Sequence, residues 1–167
     1  MVAKHKTIGS RASWHLIGHL QTNKVRDAVS IASLIHSVDS ARLAAEINKQ
    51  AARLNKYQDI LLQVNTSGEE SKFGVSPQNA VAFLKEISVY PNINIKGIMT
   101  IAPEADDPEL SRPFFRNLKE LSDSINAISN TQYTILSMGM TNDFEVAIEE
   151  GSTMIRVGRA IFGEKER

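Results

Sequence analysis

Cysteine is absent from the 167 residues, which excludes disulfides, thiolate zinc sites and thiol chemistry as the basis of function and fits a reducing compartment. An excess of charge of one sign is also missing. Lys+Arg and Asp+Glu both count 19, so the formal net charge is +0. A dedicated nucleic-acid binder normally carries a basic excess, so no nucleic-acid partner is expected. No apolar run approaches the roughly 20 residues of a membrane span, and the start "MVAKHKTIGSRASW" lacks the apolar core of a secretory signal. These absences predict a cytoplasmic protein with no membrane partner. The common nucleotide signatures, G-x-x-x-x-G-K-[ST] and G-x-G-x-x-G, do not occur. Linkers, low-complexity tracts and charge blocks are missing too, so residues 1–167 read as one domain.

What is present is a regular alternation of strand and helix patterns. "WHLIGHL" (14–20) reads as a strand and "TNKVRDAVSIAS" as a short helix. "LIHSVDS" is a second strand, ending in Asp39 and Ser40, good caps for the helix "ARLAAEINKQAARLNK". That helix places Leu43, Ile47 and Leu54 on one face. "DILLQVNTS" is a nearly continuous apolar strand of the kind buried on both faces of a parallel sheet. Ser76-Pro77 opens the next helix. "NIKGIMTIAP" is the fourth strand. A long helix follows over 106–130, and Pro113 separates or kinks its first turn. "YTILSMGM" is the fifth strand, "NDFEVAIEEG" a helix closed by Gly151, and "TMIRVGRAIFG" the sixth strand with its exit. Six strands with one helix between each pair predict right-handed crossovers and a parallel sheet. Residue patterns alone leave open a doubly wound sheet or a (β/α) barrel.

The polar residues gather at the ends of the strands, where both architectures place sites. Ser137-Met138-Gly139-Met140-Thr141 puts glycine and hydroxyls at a strand-to-helix bend, and Gly158-Arg159 follows the next strand. Small residues and free backbone amides at helix starts suit a phosphate. The loops after the last two strands of a barrel are a frequent phosphate site. The same residues also suit an ordinary turn and N-cap, and Asp143 and Glu145 compete with an anion for the helix dipole. His15 and His19, four apart on one strand, share a face. With Asp39 they could be imagined as metal ligands, but without a supporting motif a core histidine and a rim histidine are the better reading, and no metal is expected. Lys24 and Arg26, Glu69 and Glu70, and Glu149 and Glu150 read as solvated surface charge.

"WHLIGHLQTNKVR", "LLQVNTSGEESKFGVSP", "IKGIMTIAP" and "LSMGMTNDFEVAIEEGSTMIRVGRAIFG", in that order, closely resemble the pyridoxal phosphate homeostasis protein family. The resemblance implies a (β/α)8 TIM-type barrel of the alanine racemase N-terminal domain type. It implies binding of pyridoxal 5′-phosphate for vitamin B6 and amino-acid homeostasis, with no catalytic residues assigned and no established turnover. It also implies that the phosphate sits against Ser137, Gly139, Met140, Thr141, Gly158 and Arg159, with Arg156 near the pyridine ring. A cation beside the ring disfavours a protonated ring nitrogen and so weakens the electron sink that catalysis needs. Lys72 resembles a loop lysine at the cofactor mouth, and a solvated loop lysine is the alternative reading. The family's Schiff-base lysine strand is not found before Trp14. Lys4 and Lys6 are too close to the strand at 14–20 to occupy it, and residues 1–8 align with the helix before that strand. The expectation is therefore a barrel lacking its first two strands, with non-covalent cofactor binding at best and open edges prone to self-association. Two alternatives stand beside it: a weak alanine racemase-like enzyme, and a non-binding remnant or interaction protein.

Overall fold

The computed structural model describes residues 1–129 and 132–163. Six strands form one sheet: β1 (His15–Leu16), β2 (Leu34–Val38), β3 (Gln58–Gln63), β4 (Ile93–Met99), β5 (Ile135–Met140) and β6 (Met154–Arg156). They lie in chain order, and every neighbouring pair is parallel. Helices α2 (Val25–Ile31), α3 (Ala41–Arg53), α4 (Ala80–Ile87), α5 (Arg112–Ile128) and α6 (Phe144–Glu149) cross between successive strands. Helix α1 (Val2–Ile8) precedes β1, and a short α7 (Arg159–Phe162) follows β6.

Sequential order with helical crossovers bends such a sheet toward a barrel, and the side chains show the bend directly. β2 and β5 are three ladder steps apart, about 14 Å on a flat sheet. Yet His36 Nδ1 lies 3.0 Å from Ser137 Oγ. The sheet is therefore curled, and it is open, since β1 and β6 do not pair. It is a half-barrel.

Alternation along the strands sorts the two faces. Leu34, Leu61 and Met99 pack inside the curl, with Ile135 and Met154 against them. Ile35, Ile60, Leu62, Ile98, Leu136 and Met138 face outward into the main core under the helices. Helix α3 follows its sequence signals closely. The Ser40 hydroxyl accepts from the Leu43 amide at 3.4 Å, and Leu43, Ala44, Ile47 and Ala51 are buried. Leu54, expected on that face, is instead the residue that ends the helix, and it is exposed.

Two other expectations change, at the first strand and at the exit from the last. The strand predicted over 14–20 pairs only at His15 and Leu16. Beyond it, Ser37 Oγ donates to Gly18 O at 2.8 Å, so a side chain holds the segment in place of the ladder. The first turn of the long helix is separate, as the position of Pro113 implied: Pro108–Ser111 is a 3-10 element, and Pro113 falls in the first turn of α5, where its missing N–H costs nothing. The predicted end of that helix at Asn130 lies outside the described residues. The exit "GRAIFG" is helical rather than extended. Gly151 closes α6 as expected, with φ +91° and its amide on Ile148 O at 2.9 Å.

Candidate functional site

The strand ends form a rim with an outer cleft and an inner polar chain. The cleft holds about 420 Å³ and lies between residues 101–105 after β4, the bend after β5, and Arg159. That is the size of a small-molecule site, typically ~300–1,000 Å³. Of the residues predicted to hold a phosphate, Met140 and Arg159 line it, and Lys72 lines it from the β3–α4 loop. Arg159 Nη2 meets Glu104 Oε1 at 3.2 Å across the cleft.

The two predicted phosphate loops do come together. The Gly158 amide donates to Thr141 Oγ1 at 3.3 Å. The register between β5 and β6 shifts between Ser137 and Met140, which re-aims the bend beside the cleft. Gly139 sits there with φ +91°, and a Cβ on it would lie 2.5 Å from the Ala147 Cβ. No other residue fits without movement. Asp143 Oδ1 accepts from the Met140 amide at 2.6 Å, so that amide is already engaged. Within α7 the hydrogen bonds start from the Ile161 amide, which leaves the Arg159 and Ala160 amides outside the helix's own ladder.

Ser137, which the resemblance sets against the phosphate, is fully buried inside the curl. Its register on β5 points it inward, opposite to Leu136 and Met138. There it receives Arg156 Nη1 at 2.7 Å and contacts His36 Nδ1 at 3.0 Å. Arg156 points inward and is buried. Its Nη2 donates to Thr100 O at 2.8 Å, and its Nε–H is buried with no partner among the described residues. Burial lowers the Arg156 pKa to about 10, against an opposing pull from Asp143. The group therefore stays a cation at neutral pH. Thr66, Thr100 and Val64 O continue the polar layer at 3.0 and 2.8 Å.

His15 and His19 do not share a site. The strand stops at Leu16, so His15 turns to His36, with Nδ1 3.2 Å from Nε2. His19 leaves for the rim, where its ring stacks on Phe73 at 3.8 Å and its Nδ1 lies 3.6 Å from Asp39. Among the described residues there is no group of three or more His, Asp or Glu suited to a metal. His36 was not singled out from the sequence. The available signal was its place two residues after Leu34, on the same face of a strand buried throughout. Lys4 and Lys6 lie on α1, as their alignment implied. The one strand lysine among the described residues is Lys96, exposed and 3.8 Å from Asp59.

Comparison with known proteins assigns the class first. The family model "Alanine racemase, N-terminal domain" matches residues 3–166, which with the curled parallel sheet defines an α/β half-barrel of that type. The pyridoxal phosphate homeostasis protein of Aquifex aeolicus is 49% identical over 157 residues, covering 92% of this chain and 67% of that one. PipY of Synechococcus elongatus without PLP superposes with TM-score 0.89 at 34% identity, covering 97% of this chain and 77% of that one. The same protein with PLP bound gives 0.87 at 33% identity, covering 97% and 76%. The chain belongs to the pyridoxal phosphate homeostasis protein family. It spans about two thirds of the length of the curated relatives it matches.

Proposed function

We propose that this chain binds pyridoxal 5′-phosphate without covalent attachment and without turnover, as a cofactor-holding protein of vitamin B6 homeostasis. The observation that carries the reading is the junction of the two loops. The β5–α6 bend with Gly139, Met140 and Thr141 meets the Gly158–Arg159 turn through the Gly158 amide and Thr141 Oγ1, beside a cleft lined by the cations Arg159 and Lys72 and by the carboxylates of Glu104, which pairs with Arg159, and Asp143. A phosphate monoester fits this donor set, since two amides at the start of α7 and a guanidinium are at hand. The relative PipY is known with PLP bound, which supports the same ligand here.

The buried Arg156 supports the absence of turnover. Bound pyridoxal phosphate supplies an electron sink when its ring nitrogen is protonated. A permanent cation in the interior opposes that protonation. Ser137 takes part through Arg156 rather than at the phosphate. No described strand presents a lysine inward for a covalent link, because Lys96 is exposed. We read the open sheet as six of the eight strands of a (β/α)8 barrel in one domain, and its β1 and β6 edges as surfaces for self-association. The lack of cysteine and of long apolar segments fits a cytoplasmic setting.

Absorbance titration with pyridoxal 5′-phosphate, followed by borohydride reduction and peptide mapping, tests the reading. Saturable binding, competed by inorganic phosphate and leaving no lysine labelled, is expected. No saturable binding overturns it, and a specific lysine adduct overturns its non-covalent part.

A further inference from the structure

The interior polar chain admits one set of proton positions that satisfies every member. Arg156 Nη1 can only donate, and it donates to Ser137 Oγ at 2.7 Å. The Ser137 hydroxyl is fully buried, and His36 Nδ1, at 3.0 Å, is the acceptor the structure offers its proton. If His36 Nδ1 carried a proton instead, Ser137 would receive two donors and its own proton would be stranded away from water. Ser137 therefore donates to His36 Nδ1. His36 then holds its proton on Nε2 and donates to His15 Nδ1 at 3.2 Å. His15 is exposed at the open β1 edge and leaves its Nε2–H for water. An imidazolium at His36 would break the same arrangement. Burial, then His15 and Arg156, lower the His36 pKa to about 3, in keeping with a neutral ring.

We infer that Ser137 and His36 are positioning residues for Arg156, forming a one-way hydrogen-bond chain from Arg156 through Ser137 and His36 to His15. On its other side, Arg156 Nη2 is held by Thr100 O, and Thr100 Oγ1 is itself tied to Val64 O. Both terminal nitrogens of the guanidinium are thereby fixed, and the buried Nε–H is left for an acceptor that a ligand brings. The inference rests on the proposed pyridoxal phosphate site and deepens it. His36 hydrogen-bonds to none of Gly139, Met140, Thr141, Gly158 and Arg159, yet it sets the cation that a planar aromatic ligand meets deeper in the curl. It came from a strand three ladder steps away from Ser137, so no local motif announces it.

Two experiments test the inference, and they separate its failure from failure of the ligand assignment. Nitrogen-15 imidazole NMR of the ligand-free protein is expected to show His36 as the Nε2–H tautomer, unchanged from about pH 8 to about pH 5, well above its buried pKa. An Nδ1–H tautomer or an imidazolium overturns the chain whether or not the cofactor binds. In the second experiment, His36→Phe is expected to weaken pyridoxal 5′-phosphate about five- to tenfold, the worth of a lost hydrogen bond, and to shift the absorption maximum of the bound cofactor. Affinity for inorganic phosphate should stay within about twofold, because the phosphate loops keep their own donors. His36→Asn, whose Oδ1 can accept from Ser137, should restore the wild-type spectrum. Ser137→Ala, a smaller change, should reproduce the effect of His36→Phe. An unshifted spectrum in both His36→Phe and Ser137→Ala, or an equal loss of inorganic phosphate binding, overturns the positioning role.

Discussion

Gly139 and His36 are single residues whose environments make quantitative demands. At Gly139, φ +91° and the nearby Ala147 Cβ penalise any side chain. Gly139→Ala is expected to lower stability by about 1–3 kcal/mol, read by urea unfolding, and to weaken phosphate binding as the bend re-forms. His36 makes stability depend on pH. Its folded pKa, about 3, lies below the unfolded value near 6.5. The unfolded chain therefore binds a proton first as pH falls. The contribution is intact above about pH 6.5 and is lost as pH drops toward the folded value, at about 1.4 kcal/mol per pH unit. Unfolding free energies at about pH 7 and about pH 5 should show this slope in the wild type, and His36→Asn should flatten it. A slope that is unchanged in His36→Asn contradicts the buried neutral ring. At this scale the sequence was a partial guide. Arg156 was placed by the family resemblance, and Gly139 also by the need for a tight bend. Ser137 could be placed on the fifth strand, but its contact with His36 could not, because the two stand 101 residues apart and are joined only by the curl.

Among the elements, α5 and α6 are tied by a surface network that sequence spacing did not announce. Arg112 meets Glu109 and Glu149 at 2.6 Å and Glu150 at 3.0 Å, and Arg116 meets Glu150 at 2.8 Å. Glu149 and Glu150 had read as solvated charge, because their partners come from a helix more than thirty residues earlier. Hydrogen bonding from Arg112 holds the Glu109 carboxyl below the usual range, and hydrogen bonding from Arg116 and then Arg112 does so for Glu150. Folded values below the unfolded ones mean that the network stabilises at neutral pH and is lost as pH falls through the lowered folded values, below about 4.3. Arg112→Met is therefore expected to lower Tm at neutral pH, with the gap to wild type narrowing as pH falls below about 4.3. A gap that persists in acid assigns the loss to packing instead. The helices themselves were legible from capping and spacing, as α3 shows. The strand at β1 was not, since its apolar run continues past the point where Ser37 takes Gly18 out of the ladder.

For the whole molecule, the order of six parallel strands was readable from the alternation of patterns, whereas the degree of curl was not. Periodicity reports which face a residue occupies, not how far the sheet bends. The curl becomes visible only through contacts such as His36 with Ser137 and Arg156 with Thr100. Ile155, Ile161 and Phe162 are exposed near the β6 edge, and the proposed self-association through the sheet edges has a direct test. Sedimentation velocity should show a weight-average mass that rises with protein concentration, and a strictly monomeric profile across that range contradicts the role given to the edges. The central claim concerns the rim, where two neighbouring loops hold an anionic headgroup. Amide NMR during titration with inorganic phosphate, then with pyridoxal 5′-phosphate, tests it most directly. Shifts should centre on the amides of Gly139, Thr141, Gly158, Arg159 and Ala160 with both ligands, and reach the side chains of Arg156 and His36 only with the second. Saturation without movement of those loop amides, or shifts centred elsewhere on the molecule, would contradict it.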